Sequence, residues 1–286
     1  MQSVLRSATK EVLIGDGQPF CIIGERINPT GRKLFQEQLR RGELSRVEID
    51  VAQQVAGGAM VLDVNMGTPL ADEPALMTAA VKLVQSLTDL PICIDSSVIE
   101  ALEAGLASYE GRALVNSVTA EDERLDAILP LVKRHGAAVI MLPNDEEEIP
   151  EDPLRRLELV DKLVDVATGR YGLDIADIFI DPLAMPIGAD TTLVKKTLET
   201  IHLVKERYDL NMALGASNIS FGMPDREGIG AAFLPMAMGL GLTSAIMDAR
   251  SPRLVGAVKA ADLLLDHDAW GASWIAAHRE REASSA

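Results

Sequence analysis

Carboxylate and amide side chains recur along the chain at the ends of aliphatic segments, where they could bind the edge of a nitrogen heterocycle. Asp95, Asn116 and Asp181 each come directly after such a segment. A heteroaromatic amide such as a pterin presents N–H and amino groups that a carboxylate accepts, and ring nitrogens and a carbonyl that pair with an amide. We therefore interpret these three residues as candidate ligands for such a ring.

These side chains also have a structural alternative, because Asp and Asn at the end of a strand commonly cap the next helix or stabilise a turn. Neighbouring residues weaken it. Ser97 and Thr119 are predicted to cap the helices that follow Asp95 and Asn116. Pro182 holds the residue before it in an extended conformation rather than in a helix.

Two further segments carry polar side chains at strand ends. In Leu62–Gly67 the alternation sends Asp63 and Asn65 to the same side, although Asn65 could equally form a turn before the glycine. Ser217 and Asn218 end the seventh predicted strand, and the residues after them lack a clear helix start. A functional role is therefore favoured for Asn218.

Charged residues near the same strand ends have both a functional and a structural interpretation. Glu25 and Arg26 either face a ligand or form an internal ion pair that holds the first loop. Arg226 and Arg250 lie in rim segments where they could meet an anionic substrate tail, and ordinary surface charge is the alternative. We include Glu25, Ser217 and Arg226 among the predicted binding residues.

The elements that position these residues are strands alternating with helices. Buried parallel strands read as continuous aliphatic runs, and about eight βα units close a (β/α)8 TIM barrel of the α/β class, with ligands at the carboxyl ends of the strands. The strands are predicted near 21–25, 60–64, 91–95, 113–117, 137–142, 177–181, 211–216 and 244–248.

We predict a single folded domain with short additions at both ends. The turn-forming segment Gly15–Pro19 lies between Val12–Ile14 and Phe20–Ile23, which predicts a hairpin feeding the first barrel strand and closing the bottom of the barrel. The predicted organisation is an N-terminal hairpin over 1–20, the barrel over 21–268 and a C-terminal tail over 269–286.

Composition excludes several classes of function. A net charge of −16 and a pI near 4.7 argue against nucleic-acid binding, which needs a cationic face. Cys21 and Cys93 lie in strand-like runs, and no apolar run approaches membrane-spanning length, so we expect a cytoplasmic protein away from membranes. The four histidines are scattered, which predicts no protein-bound metal. Nucleophile-elbow, P-loop and dinucleotide-binding motifs are absent from the sequence.

Taken together, six motifs in order resemble the pterin-binding methyltransferases. This family includes methyltetrahydrofolate:corrinoid protein methyltransferases and the folate module of cobalamin-dependent methionine synthase. The similarity extends from about residue 21 to about residue 265. The motifs are Gly24–Gly31 (GERINPTG), Leu62–Asn65 (LDVN), Ile94–Ser97 (IDSS), Val115–Ser117 (VNS), Ile180–Pro182 (IDP) and Gly215–Ser220 (GASNIS).

The resemblance implies a barrel, a homodimer in many members, that binds methyltetrahydrofolate and exchanges its N5 methyl group with a cobalt corrinoid on a partner protein. By the same resemblance Asp95, Asn116 and Asp181 hold the pterin ring and Asn218 approaches N5. Asp63 and Asn65 complete the pocket floor. The direction of methyl transfer stays open at this stage.

Two alternatives compete with this interpretation. Dihydropteroate synthase shares the barrel and the pterin pocket, but its Asn-x-Thr-Pro-Asp-Ser-Phe run is absent here. Its sixth-loop lysine is missing from 181–190, and its closing Arg-x-His is replaced by Asp248–Ser251. The second alternative is a pterin-binding module without catalysis of its own, which the presence of Asn218 disfavours.

Overall fold

Eight parallel strands form a closed barrel in the computed structural model, which describes residues 1–285. Around the barrel the order is β10, β3, β4, β5, β6, β7, β8, β9, so the last strand pairs with the first. The predicted TIM barrel is therefore confirmed. The barrel strands are β3 (Cys21–Ile27), β4 (Val61–Asn65), β5 (Ile92–Asp95), β6 (Leu114–Thr119), β7 (Ala138–Leu142), β8 (Ile178–Ile180), β9 (Asn211–Gly215) and β10 (Ser244–Met247).

Helices connect successive strands and cover the outside of the barrel. Local signals set several of their ends: the Asp72 carboxylate caps α3 by accepting from Ala75 N at 3.1 Å, and α5 ends at Gly136 with φ of 60°. The helices are α1 (Lys33–Arg40), α2 (Ser45–Gly57), α3 (Glu73–Leu87), α4 (Ile99–Ser108), α5 (Asp122–His135), α6 (Pro153–Asp165), α7 (Leu193–Tyr208), α8 (Arg226–Gly239), α9 (Pro252–Leu264) and α10 (Ala272–Ser285).

The interior of the barrel changes from apolar to polar along the strands. Because side chains alternate in a strand, Val61 and Asp63 share one face of β4, and Cys93 and Asp95 share one face of β5. We call the end where the strands begin the lower end and the end where they finish the upper end. The candidate site residues therefore lie at the upper end.

An antiparallel hairpin of β1 (Gln2–Arg6) and β2 (Glu11–Gly15) lies against the lower end. Its buried Leu5, Val12 and Ile14 pack with the apolar interior residues, as predicted. The predicted pairing was wrong, however, because the segment after Gly15 leads into a parallel barrel strand. The hairpin turn is instead at Ser7–Lys10, where the Ser7 hydroxyl accepts from Lys10 N at 3.0 Å.

The two predicted capping boxes were also wrong. Helix α4 has Val98 at its N-cap without a side-chain cap, and Ser96 rather than Ser97 holds the turn by accepting from Val98 N at 2.9 Å. Helix α5 has Glu121 at its N-cap, and the Thr119 hydroxyl donates to the Glu121 carboxylate instead of capping the backbone.

The chain after α9 turns at 269–271 and continues as α10. The Asp268 carboxylate accepts from Ser273 N and Trp274 N, both at 2.9 Å, which stabilises the start of this helix. The last residue of the tail predicted over 269–286 lies outside the described residues. Within residues 1–285, every helix is too short or too polar to cross a bilayer.

Candidate functional site

Three predicted site residues lie side by side at the upper end. In the barrel register Asn65 on β4 pairs with Asp95 on β5, and Asp95 pairs with Asn116 on β6. All three keep part of their surface accessible. The structure therefore brings these residues together in one row.

Asp63 lies one layer below this row and is buried, with 2% of its surface exposed. Asn116 Nδ2 donates to Asp63 Oδ1 at 3.2 Å. Burial, reinforced by the neighbouring Asp95, raises the pKa of Asp63 well above its usual range. Burial likewise raises the pKa of Asp95 to about 6, although hydrogen bonds from Asn65 and Asp63 oppose the rise.

A hydrogen bond between two carboxyl groups requires a proton on one of them. The strongly raised pKa of Asp63 places that proton on Asp63, so that Asp95 accepts. The pair can thus present one ionised carboxylate to a ligand. Asn65 also orders its own loop, since its Oδ1 accepts from Gly67 N at 2.8 Å, so the turn role considered for it is present as well.

Asp181 follows β8, which is two strands beyond β6 in the eight-stranded ring, so it extends the arc of polar groups that the row begins. Burial raises the pKa of Asp181 to about 7, against the effects of the Leu183 N–H and Arg156. The Leu183 N–H donates to Asp181 Oδ1 at 2.8 Å. Asp95, Asn116 and Asp181 thus form an arc of polar groups along one side of the upper end, which a flat ligand could contact with one edge.

Glu25, Ser217 and Arg226 form a connected group beside the row. Ser217 Oγ donates to Glu25 Oε2 at 2.8 Å, and Arg226 Nη2 donates to the Ser217 carbonyl at 2.6 Å. Burial raises the pKa of Glu25. Glu25 therefore accepts a hydrogen bond from Ser217. The direct ion pair with Arg26, which the sequence left open, does not form within the described part of the chain.

Asn218 lies in the short 3-10 segment Ala216–Ser220 after β9 and is exposed. Its side chain folds back over Gly215, where a Cβ would lie 3.0 Å from Asn218 Nδ2. A glycine at 215 therefore leaves room for the Asn218 amide. The exposed amide can meet a ligand that enters from the upper end.

Sequence reasoning missed two buried polar residues around this site. Gln54 on α2 is fully buried, and its Nε2 donates to Asp248 Oδ1 at 3.0 Å. Asp248 also binds Arg250, with 2.6 Å between Nη2 and Oδ2. Arg156 on α6 is fully buried as well. A polar residue on the core-facing side of a predicted helix was the available signal.

In the part of the chain that the structure describes, no three His, Cys, Asp or Glu side chains are arranged to hold a metal ion. Cys21 and Cys93 are buried, and both are free cysteines rather than partners in a disulfide.

Comparison with known proteins shows the family to which the chain belongs. Residues 24–248 match the family described as pterin binding enzyme. The chain is 30% identical over 253 residues to the methylcorrinoid:tetrahydrofolate methyltransferase of Eubacterium limosum. This alignment covers 86% of this chain and 92% of that protein. It is 34% identical over 241 residues to methionine synthase of Mycobacterium tuberculosis, which covers 80% of this chain and only 20% of that longer protein.

Solved structures share the fold at lower identity. Dihydropteroate synthase from Xanthomonas albilineans in complex with 7,8-dihydropteroate has a TM-score of 0.66 and 20% identity, covering 91% of this chain and 98% of that one. The enzyme from Thermus thermophilus has a TM-score of 0.64 and 18% identity, covering 91% of this chain and 99% of that one. The resemblance found in the motifs is confirmed, and the chain belongs to the pterin-binding enzyme family.

Proposed function

We propose that this protein transfers a methyl group between N5 of tetrahydrofolate and the cobalt of a corrinoid carried by a separate protein. The observation that carries the proposal is the row Asn65, Asp95 and Asn116, with Asp181 two strands further around the ring and the exposed Asn218 after the next strand. The Eubacterium limosum relative, named as a methylcorrinoid:tetrahydrofolate methyltransferase, supports it because the alignment covers 92% of that protein.

The groups in the row match the edge of a pterin. Its N–H and amino groups would donate to Asp95 and Asp181, and its ring nitrogens and carbonyl would pair with the Asn116 amide. Asp63 would act from below, because its hydrogen bonds to Asn116 and Asp95 fix the positions of both. Hydrogen bonds to ionised carboxylates in a partly buried site are the strong kind, which suits tight binding of a neutral ring.

Methyl transfer from folate requires activation of N5, because a tertiary amine is a poor leaving group. A proton or a strong hydrogen bond on N5 in the transition state supplies that activation. An amide does not titrate usefully, so Asn218 would stabilise the protonated N5 through its carbonyl oxygen while solvent supplies the proton. Asp95 and Asp181 would favour that cation by their charge. The corrinoid supplies the metal centre that accepts or releases the methyl group.

The first test is an anaerobic mixture of the protein, methyltetrahydrofolate and cob(I)alamin, with the cobalt absorbance followed over time. Loss of the Co(I) absorbance faster than in the protein-free sample is the expected result. If folate binds saturably in the same sample and the absorbance decays at the protein-free rate, free cobalamin is not an acceptor. The assay is then repeated with a corrinoid protein, and a second failure would favour the non-catalytic module.

Asn218→Ala tests the assignment at N5. We expect an unchanged dissociation constant for methyltetrahydrofolate and methyl transfer slower by about 10- to 100-fold, because the lost hydrogen bond acts mainly in the transition state. Stopped-flow kinetics and calorimetry on the same preparation separate the two quantities. Equal rates for the variant and the parent protein would remove Asn218 from the mechanism.

Dihydropteroate synthase activity is the second candidate, since solved structures of that enzyme share the fold. It is disfavoured because Asp248–Ser251 replaces the Arg-x-His motif of that enzyme, and the arginine in this segment, Arg250, is bound by the Asp248 carboxylate. The distances are 2.9 Å from Nε to Oδ1 and 2.6 Å from Nη2 to Oδ2. That guanidinium is thus already neutralised. Incubation with para-aminobenzoate and a dihydropterin pyrophosphate is expected to form no dihydropteroate, and its formation would reverse the order of the two candidates.

A further inference from the structure

Arg156 links two loops at the upper end from a fully buried position on α6. Its Nε donates to the Pro150 carbonyl at 2.7 Å, in the loop after β7. Its Nη1 donates to the carbonyls of Pro182 and Leu183, at 2.9 and 3.2 Å, in the loop after β8. One guanidinium therefore fixes the loop that begins with Asp181 against the neighbouring loop.

The turn that Arg156 holds also orients the Asp181 carboxyl. Leu183 has a positive φ of 59°, which is uncommon for a residue with a side chain and persists where surrounding contacts impose it. Its N–H donates to Asp181 Oδ1, and its carbonyl accepts from Arg156 and from Thr197 Oγ1 at 3.0 Å. Loosening the Leu183 carbonyl would therefore release the hydrogen bond that orients Asp181.

Charge gives Arg156 a second effect on Asp181. The carboxylates that act on the guanidinium are Asp181 from the loop after β8 and Glu151 from the loop after β7. Glu151 is largely exposed and paired with Lys196 at 2.7 Å, whereas α7 faces Arg156 with the neutral Thr200. Asp181 is therefore the buried counter-charge of this buried cation.

The hydrogen bonding of Arg156 is incomplete. Within the described residues its buried Nη2 has no hydrogen-bond partner. A buried, unpaired donor costs free energy, and an apolar side chain of similar size would avoid that cost. A role in packing alone therefore does not account for an arginine at this position.

We infer that Arg156 is a positioning residue for pterin recognition, which fixes the turn that orients Asp181 and supplies a charge that favours the ionised carboxylate over its protonated form. The inference rests on the proposed function, because it assigns the ionised Asp181 to the pterin. Burial raises the pKa of Asp181 to about 7, and the Leu183 N–H and Arg156 oppose that rise. Without the guanidinium charge, Asp181 would stay protonated to a higher pH.

The test measures the dissociation constant of methyltetrahydrofolate by calorimetry from pH 6 to pH 9 in four variants. Arg156→Met is expected to weaken binding at least about tenfold at pH 7 and to move the pH midpoint upward by about one unit or more, since one pKa unit is a tenfold change. Arg156→Lys and Thr197→Val keep the charge but disturb the turn. They should weaken binding at every pH and move the midpoint upward by less than Arg156→Met does, because they loosen the Leu183 hydrogen bond but keep the cationic charge.

Arg155→Met is the matched control, because Arg155 is the preceding residue on α6 and pairs with Asp145 at 2.9 Å and Glu158 at 3.1 Å. It should bind like the parent protein at every pH. An unmoved midpoint in Arg156→Met, or an equal shift in Thr197→Val, would overturn the inference. Should Arg156→Met fail to fold, Arg156→Gln provides the same charge loss with a polar side chain.

A measurement without ligand separates this inference from the proposed function. The carbon-13 carboxyl resonance of Asp181, assigned by its absence in Asp181→Asn, reports the pKa of Asp181 directly. An upward shift in Arg156→Met supports the charge effect even if the parent protein binds no folate, in which case the proposed function has failed. An unchanged pKa in a protein that binds folate overturns the role of Arg156 alone.

Discussion

The charged groups at the two ends of the barrel differ in how they are paired. At the lower end the hairpin covers an apolar interior, and the ionic groups at its margin are paired: the N-terminal amine contacts Asp16 at 2.8 Å and Asp209 at 2.6 Å, and Lys205 contacts both carboxylates. At the upper end, Asp63 and Asp95 contact each other, and within the described residues neither they nor Asp181 form an ion pair, although Asp248 there is paired with Arg250. The difference separates charges that hold the fold from charges that are available to a ligand.

The pKa values of Asp16, Asp95 and Asp181 reflect this difference. Despite desolvation, hydrogen bonds from Lys205 and the N-terminus hold the pKa of Asp16 down at about 2, whereas burial raises the pKa of Asp95 to about 6 and that of Asp181 to about 7. A carboxyl with a lowered pKa stabilises the folded chain above about pH 4 and loses that contribution as the pH falls through 2. A raised pKa has the opposite sign: stability present below about pH 4 is lost as the pH rises through 6 to 7.

Asp181→Asn gives the largest expected effect and tests the upper end directly. Pterin affinity should fall at least about 100-fold, because an amide cannot replace the ionised acceptor. At pH 8 the free energy of unfolding should rise by up to about 4 kcal/mol, since a buried carboxylate is no longer formed. Urea unfolding at pH 5 and pH 8 measures the change, and it should be much smaller at pH 5. Retained affinity would remove Asp181 from the site.

Leu5→Ala tests whether the lower end is purely structural. Leu5 is fully buried between the hairpin and the barrel, so its truncation should cost about 3 kcal/mol of unfolding free energy. Folate affinity and transfer rate at 25 °C should match the parent protein. A change in affinity in the folded variant would mean that the two ends are coupled.

Asp16→Asn gives the smallest expected effect. The Asp16 side chain is 52% exposed, so solvent screens its ion pairs and we expect a loss of about 1 kcal/mol or less at pH 7. The loss should shrink as the pH approaches 2; the effect of Asp181→Asn also shrinks at low pH, but it is a gain in stability rather than a loss. A larger loss at low pH than at pH 7 would contradict the assigned lowered pKa.

The strands were predictable because each is an aliphatic run long enough to be buried on both faces, and the row at the upper end followed from their polar last residues. Local turn chemistry was harder to predict. Ser96 and Ser97 offer the same hydroxyl, and only the path of the backbone selects one. The hairpin pairing failed because Phe20–Ile23 is as suitable for an antiparallel strand as for the parallel strand that it forms.

Arg156 was harder to assign from sequence for a different reason. Arg156 belongs to a helix with several charged residues, where an arginine is usually solvated, and its partners are backbone carbonyls of residues 150, 182 and 183. Backbone groups leave no trace in a residue pattern. Such a residue can be assigned only when the backbone conformation of the neighbouring loops is known.

The hairpin also has a consequence for the order in which the molecule assembles. Asn211 Nδ2 donates to Ser3 Oγ at 2.8 Å and to the Ile14 carbonyl at 3.1 Å, so these partners lie about 200 residues apart in the chain. A ribosome that has synthesised the hairpin must still make six barrel strands and the start of a seventh before the last of these contacts can form. The hairpin, which is translated before the barrel, is therefore among the last parts of the described chain to complete its contacts, and its apolar face stays uncovered until the barrel has formed.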